Sequence, residues 1–215
     1  MQKRLVRKHH LEKKLAEVMP HPEPKVHLEQ YTISPEVAAE ILYLATYTYN
    51  DIIDKTVMDL GCGTGRLALG AALLGAEEAF GIDIDPLAIR VAKANARKLT
   101  VAGKTNWITA DLNTIYGHFH TILTNPPFGV QKRRADRVFL KKSLEVGCRI
   151  YSLHKSGRSN REFIKKFIEK HNGKVTSIFH MKMTIPKLFG FHTKERRNIE
   201  VDLFRIEGET YAEKE

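Results

Sequence analysis

The run Thr124-Asn125-Pro126-Pro127-Phe128-Gly129 follows the apolar segment Phe119-His120-Thr121-Ile122-Leu123. It brings together a side-chain amide, two imino acids and an aromatic ring. An exocyclic amine on a heteroaromatic ring is a poor nucleophile, because its lone pair is delocalised into the ring. Acceptors aimed at its two N–H groups favour the pyramidal geometry that attack requires. The side-chain oxygen of Asn125 and the carbonyl of Pro126 can supply them, since Pro127 biases its predecessor toward an extended conformation. Phe128 offers a ring on which a planar base can stack. The catalytic candidates are therefore Asn125, Pro126, Pro127 and Phe128. These residues suit methylation of a planar exocyclic amine, helped by positioning and electrostatics. The amine can lose its proton after transfer, so no histidine base is nominated. A plain turn would also account for Asn-Pro-Pro by itself; its place at the end of an apolar strand favours a site, because ligands of open α/β sheets bind at the carboxyl ends of strands.

Upstream, Asp59-Leu60-Gly61-Cys62-Gly63-Thr64-Gly65 lies at a strand-to-helix junction, where glycines permit a tight turn and close backbone approach to a ligand. Arg66 stands where a dinucleotide fingerprint needs glycine or alanine. The spacing is DxGxGxG instead, which resembles the S-adenosylmethionine loop of class I methyltransferases, with Asp59 placed to accept a methionyl amino group. About twenty residues on, Gly81-Ile82-Asp83-Ile84-Asp85-Pro86 offers Asp83 for ribose hydroxyls, while Asp85 before Pro86 reads as the N-cap of the next helix. Asp111 in Ala110-Asp111-Leu112 can accept from an adenine amino group. The candidate cofactor site is Asp59, Gly61, Cys62, Gly63 and Gly65, then Asp83, Ile84, Asp111 and Leu112, with Asn125 at its edge.

Hydrophobic periodicity and breakers supply the elements that must hold these groups. Strands are expected at residues 55–60, 78–84, 106–109, 119–124, 149–153, 174–183 and 199–206. Helices are expected at 65–74, 86–99, 138–146 and 158–171, and one follows Ser34-Pro35, a good N-cap with proline at the first helical position. The alternation predicts an α/β fold, a doubly wound, seven-stranded and mainly parallel sheet, with an N-terminal helical extension. Residues 1–27 read as a basic amphipathic arm and a proline-rich linker, 28–208 as the catalytic domain and 209–215 as a tail.

The formal net charge of +10 over 215 residues favours a polyanionic partner. Clusters at Lys132, Arg133, Arg134 and Arg137, at His154, Lys155, Arg158 and Arg161, and at Lys187, His192, Lys194, Arg196 and Arg197 surround the tetrapeptide and suit RNA phosphates. A merely solvated face is the plain alternative for any one cluster. Two cysteines, Cys62 and Cys148, form no CxxC pair, and the ten histidines form no ligand-spaced cluster, so no metal site is expected. No apolar stretch approaches spanning length and no signal-peptide core is present, so membrane association is not expected and a cytoplasmic location is. Phe189-Gly190-Phe191-His192 reads either as a substrate-side flap or as a packed connection.

The chain resembles the methyltransferase-like family of small-subunit ribosomal RNA adenine-N6 methyltransferases and their archaeal relatives. The matching residues are Leu28-Glu29-Gln30-Tyr31, the glycine loop, Gly81 to Asp85, Asn125 to Gly129, Tyr151-Ser152-Leu153-His154-Lys155 and Ile199 to Leu203. The resemblance implies S-adenosylmethionine as cofactor and S-adenosylhomocysteine as product. It implies cofactor contacts from Gln30, Gly61, Asp83 and Asp111, and base recognition by Asn125 to Phe128. Small-subunit rRNA or a ribosomal particle is the implied substrate. A small zinc-binding activator protein, with which the eukaryotic members work, is the implied partner, and Trp107 on an expected edge strand is a candidate contact. Ile33 departs from the family's threonine at that position. Guanine N2 in RNA, glutamine N5 in a protein, and a non-catalytic RNA-binding assembly role remain as alternatives.

Overall fold

The computed structural model describes residues 6–128, 135–186 and 196–209, with side chains left aside at 185, 186, 196 and 197. Its helices are α1 (Lys8–Ala16), α2 (Pro35–Tyr43), α3 (Arg66–Leu73), α4 (Pro86–Lys98), α5 (Ala135–Val146) and α6 (Arg158–Lys170). Its strands are β1 (Thr56–Leu60), β2 (Glu78–Asp83), β3 (Thr105–Thr109), β4 (Phe119–Thr124), β5 (Gly147–Lys155), β6 (Lys174–Pro186) and β7 (Arg196–Glu207). They form one seven-stranded sheet in the order β3-β2-β1-β4-β5-β7-β6. The first five strands are parallel, and β7 inserts antiparallel between β5 and β6. The expected doubly wound α/β sheet is thus present. The strand order reverses between β1 and β4, the crevice where open sheets bind ligands.

Alternation along each central strand divides the core between two faces. Val57, Leu123, Leu153 and Leu203 join the layer beneath α1, α2 and α3, whereas Met58, Ile122, Ile150 and Phe204 join the layer beneath α5 and α6. Helix starts follow local chemistry. Ser34 Oγ accepts from Val37 N before α2, Asp85 Oδ1 accepts from Leu87 N at 3.0 Å before α4, and each helix opens on proline.

The amphipathic N-terminal helix is present, shorter than the segment read from sequence, and α1 buries Leu11 and Leu15 completely among α2 and α3. Lys8 pairs with Glu40 of α2. Each buried leucine contributes about 2 kcal/mol of transfer free energy, so α1 is part of the folded core as well as a carrier of charge.

Candidate active site

The loop after β1 is a sharp turn in which Gly61, Gly63 and Gly65 all hold positive φ (69°, 53° and 90°). Cys62 N donates to Ile82 O at 2.9 Å, and Gly65 N returns to Cys62 O at 2.8 Å. The glycines serve different purposes. A Cβ on Gly65 would lie 2.7 Å from Trp107 Cζ3, so this residue caps α3 and lets β3's indole pack beneath it. A Cβ on Gly63 would meet nothing within 4 Å, which leaves this part of the backbone open to a ligand.

A cavity of about 440 Å³ opens over this loop. Asp59, Gly61, Cys62 and Gly63 form its floor, Asp83 and Ile84 one side, and Asp111 and Leu112 the far end. Ile84 is 54% exposed, a large apolar side chain presented to the opening. Asn125 and Pro127 close the β4 side. Asp85 fulfils the N-cap role read from sequence and is almost fully buried. Gly65 and Pro126 do not line the cavity; the first acts through Trp107, and the second is buried.

The acids are held by backbone donors. Asp83 accepts from Gly63 N (2.8 Å) and Asp85 N (2.9 Å), and burial raises its carboxyl above the ordinary carboxylate range despite these two bonds. Asp59 accepts from Ala68 N at 3.2 Å. Burial, with a smaller repulsion from Asp83, pushes its carboxyl up to about 8 against that bond. Burial also raises the Cys62 thiol well above its usual range, so the sulfur sits in the loop as a protonated, inert group. Asp111 caps a short turn, accepting from Asn113 N at 2.8 Å.

Asn125 follows β4 directly, and its Oδ1 is buried with no hydrogen-bond partner among the described residues. A buried amide oxygen left unpaired costs about 1–3 kcal/mol. In a cavity wall it marks a place kept for a donor brought by a ligand. Phe128 is half-buried and packs against the core layer of α1, α2 and α3 rather than lining the cavity. The structure therefore places the amide in the site and the ring beside it. Gly129 and the Phe189 to His192 segment lie outside the described residues.

The rim differs from a simple basic ring. His154 is buried, bonds Ser152 Oγ through Nε2 at 2.8 Å, and is held neutral, because burial lowers it to about 4. It is thus not a phosphate contact, a correction to its place in the basic cluster; a sheet register that turns it inward was not readable from charge. Arg161 makes a bidentate pair with buried Asp202 at 2.6 and 2.9 Å, and Arg158 pairs with Glu162. Arg137 lies over the Phe163 ring at 4.3 Å. Lys132, Arg133, Arg134, Lys187, His192 and Lys194 are outside the described residues, as are the side chains of Arg196 and Arg197. No group of acidic, histidine or cysteine side chains among the described residues could hold a metal.

Sequence reading missed most of the cavity's roof. Residues 21 and 27–33 cross the opening, and Gln30 is the member the family resemblance supplied. Gln30 lines the cavity while its amide is engaged at both ends: Oε1 accepts from Lys25 N at 2.7 Å, and Nε2 donates to Asp85 Oδ2 at 2.9 Å. Ile33 turns its side chain into the core, and its carbonyl accepts from the Arg66 guanidinium. The residue that breaks the dinucleotide fingerprint thus ties the roof to the glycine loop.

Comparisons with known proteins fit this geometry. A family model described as ribosomal protein L11 methyltransferase (PrmA) matches residues 42–125. The rRNA N(6)-adenosine-methyltransferase METTL5 of Danio rerio is 35% identical over 91% of this chain and 96% of its own length. The chain belongs to the METTL5 family. An uncharacterised Methanocaldococcus jannaschii protein, MJ0284, is 42% identical over 94% of this chain and 95% of that one. The crystal structure of PH1948 from Pyrococcus horikoshii, a candidate RNA methyltransferase, superposes with a TM-score of 0.88 at 37% identity, covering 96% of this chain and all of that one. The METTL5-type match spans both halves of the sheet, whereas the L11-type match ends at Asn125, the first residue of the candidate acceptor site. What the chain shares with the L11 family is therefore the loop, strands and acids from β1 to β4.

Proposed function

We propose that this protein transfers a methyl group from S-adenosylmethionine to N6 of an adenosine in small-subunit ribosomal RNA. The observation that carries the reading is the buried, unpartnered Oδ1 of Asn125 at the tip of β4, in the wall of the cavity. It is an acceptor waiting for an N–H donor, and an exocyclic amine is such a donor. The Danio rerio relative's activity, spread over the whole length of the match, favours adenine as the base.

The cavity fits the cofactor on its own chemistry. When bound, S-adenosylmethionine supplies an electrophilic methyl group on a sulfonium. Gly63 leaves room for close backbone approach, and Thr64 Oγ1, buried without a partner among the described residues, suits the methionyl carboxylate. Asp59 would face the methionyl ammonium. Asp83 keeps a lone pair on each oxygen for ribose hydroxyls after accepting its two backbone donors. Ile84 and Leu112 would flank the adenine, with Asp111 toward its amino group. Asn125 Oδ1 would then accept from one N6 hydrogen, and the Pro126 carbonyl, which is outside the cavity lining here, would have to turn toward the other to hold the nitrogen pyramidal with its lone pair toward the methyl carbon. Transfer to that nitrogen would break the methyl C–S bond as the N–C bond forms, would leave S-adenosylhomocysteine, and would release the extra N6 proton to solvent. The proposed stacking of Phe128 on the base requires its ring to leave the core layer it now rests on, or the base to reach it there.

RNA would approach over the side of Arg137, Lys155 and Arg158, where cations and aromatic rings adjoin the carboxyl ends of the strands. We also propose a cytoplasmic location. A zinc-binding activator would dock along β3, which lies at the sheet edge. Trp107 itself is spent beneath Gly65, so Asn106 and Thr109, both exposed, are better placed to meet such a partner.

Methyl transfer to small-subunit rRNA, followed by nucleoside analysis, tests the reading. N6-methyladenosine is expected. N2-methylguanosine as product, or label found only on protein glutamine, would refute adenine as the acceptor.

A further inference from the structure

One buried carboxylate gathers the segment that roofs the cofactor cavity. Asp85 Oδ1 is used as the α4 cap, accepting from Leu87 N at 3.0 Å. Its Oδ2 faces three side chains of the segment at once: Gln30 Nε2 at 2.9 Å, His21 Nε2 at 3.2 Å and Lys25 Nζ at 3.2 Å. The chain between them bows outward through a short 3-10 turn (Val26–Leu28) and a left-handed Glu29 (φ 49°). The bow presents His27, Leu28 and Tyr31 to the cavity. Its two ends are fixed elsewhere, at Met19 by Asn95 (2.9 and 3.2 Å) and at Ile33 by Arg66. Asp85 N in turn donates to Asp83 Oδ1, so the clasp and the candidate ribose acid share one backbone turn.

We propose that Asp85 is a positioning residue for the cofactor, clasping residues 20–33 as a strap over the cavity so that opening of the clasp admits and releases the ligand. This rests on the cofactor reading above. A cap alone needs one oxygen of Asp85 and no contact with His21, Lys25 or Gln30. Convergence of three donors from a ten-residue bow on the second oxygen is what makes the roof and the ribose loop one unit.

Asp85→Asn separates the two roles. Asparagine is as good an N-cap as aspartate, so its oxygen keeps Leu87 N. Its amide nitrogen then faces three donors, and the clasp is lost. Two measurements read the outcome: titration calorimetry with S-adenosylhomocysteine, and the rate of tryptic cleavage after the exposed Lys25, followed by mass spectrometry. The expected results are about tenfold weaker binding, equivalent to ~1.4 kcal/mol, faster cleavage than in the wild type, and loss of the protection that ligand gives the wild type. Affinity within twofold of wild type together with unchanged cleavage would overturn the proposal. Should Asp85→Asn fail to fold, Lys25→Met carries the test, because this half-exposed side chain leaves the core intact; unchanged affinity there overturns the clasp. Absence of binding by the wild type would instead defeat the cofactor reading, while the ligand-free cleavage rates of wild type and Asp85→Asn still decide whether the clasp exists.

Discussion

Asp59 makes the cofactor reading measurable through protons. In the ligand-free cavity its carboxyl is pushed to about 8 by burial, so ~0.9 of the molecules hold a proton there at pH 7. A methionyl ammonium against that carboxylate replaces the missing solvation and returns it to its ionised form. Binding of S-adenosylhomocysteine at pH 7 should then release up to ~0.9 proton from this site, falling to ~0.1 at pH 9, where the group is already ionised. Calorimetry in buffers of different ionisation enthalpy measures the release directly. The difference between wild type and Asp59→Asn isolates this group from the ligand's own titration. Equal proton release by the two proteins at pH 7 would refute the assignment of Asp59 to the ammonium. The same shift governs ligand-free stability. Below about pH 4 the carboxyl is protonated in both folded and unfolded chains, and its contribution is intact. Between about 4 and 8 the unfolded chain ionises while the folded one keeps the proton, so stability falls as pH rises. From 3.8 to about 8 the full loss is on the order of 5 kcal/mol, and Asp59→Asn should flatten that part of the thermal-denaturation profile.

Asn125→Ala should lose a factor of about 10² to 10³ in single-turnover methyl transfer while calorimetry shows cofactor-product binding within a few-fold of wild type; full activity would remove its role at the amine. Gly65→Ala places a side chain at φ 90° against Trp107 and should cost about 2–4 kcal/mol in chemical denaturation. Leu15→Ala, at a fully buried position beneath α2, should cost about 2–4 kcal/mol, an outcome that a loosely attached arm would not show. Deletion of residues 1–19 should accordingly lower the unfolding midpoint, so the RNA role of the segment is better tested by replacing Lys13 and Lys14, both exposed on α1, with alanine. A shallower dependence of RNA affinity on salt is expected, and an unchanged slope would exclude these lysines from the contact.

The parallel half of the fold was legible because β1 to β5 and α3 to α6 each carry their own period and punctuation. Ser34-Pro35 and Asp85-Pro86 announce helices by chemistry that acts within three residues. The glycine loop was legible for the same reason: its positive φ angles are a local demand. What was not legible depends on contacts far apart in sequence. Nothing in the alternation of β6 and β7 says that the last strand inserts between its predecessors. His154 reads as one more cation until its register opposite Asp202 turns it into the core. The Lys-rich segment before residue 20 announces charge, while its burial is decided by Leu42 and other α2 residues thirty positions away. Phe128 follows the amide so closely that a shared cavity was the natural expectation, yet its ring finds apolar neighbours under α2 instead.

The end of the L11-type match at Asn125 has a physical basis. Residues 42–125 run from α2 through β4 and contain every backbone turn and acid on the β1 to β3 side of the cavity. A cofactor held by ribose, adenine and methionyl groups imposes the same demands whatever accepts its methyl group, so this half can be common to enzymes with unlike substrates. Under the proposed function, the demands beyond Asn125 would come from the acceptor. In this chain the part beyond residue 125 carries a neutral buried His154 on β5, a pair between Arg161 of α6 and Asp202 of β7, and Arg137 of α5 over the Phe163 ring of α6, none of which the cofactor would require. The strap also lies outside the matched region, although it crosses the candidate cofactor cavity. Asp85 lies within the matched region and residues 21–30 do not, so the clasp would join the shared loop to a roof outside it. Substitution on the two sides should therefore be coupled: once Asp85→Asn has removed the carboxylate, Lys25→Met should add no further loss of ligand affinity. Losses that simply add would mean that Lys25 and Asp85 act on the ligand separately, and that the roof is held by its fixed ends alone.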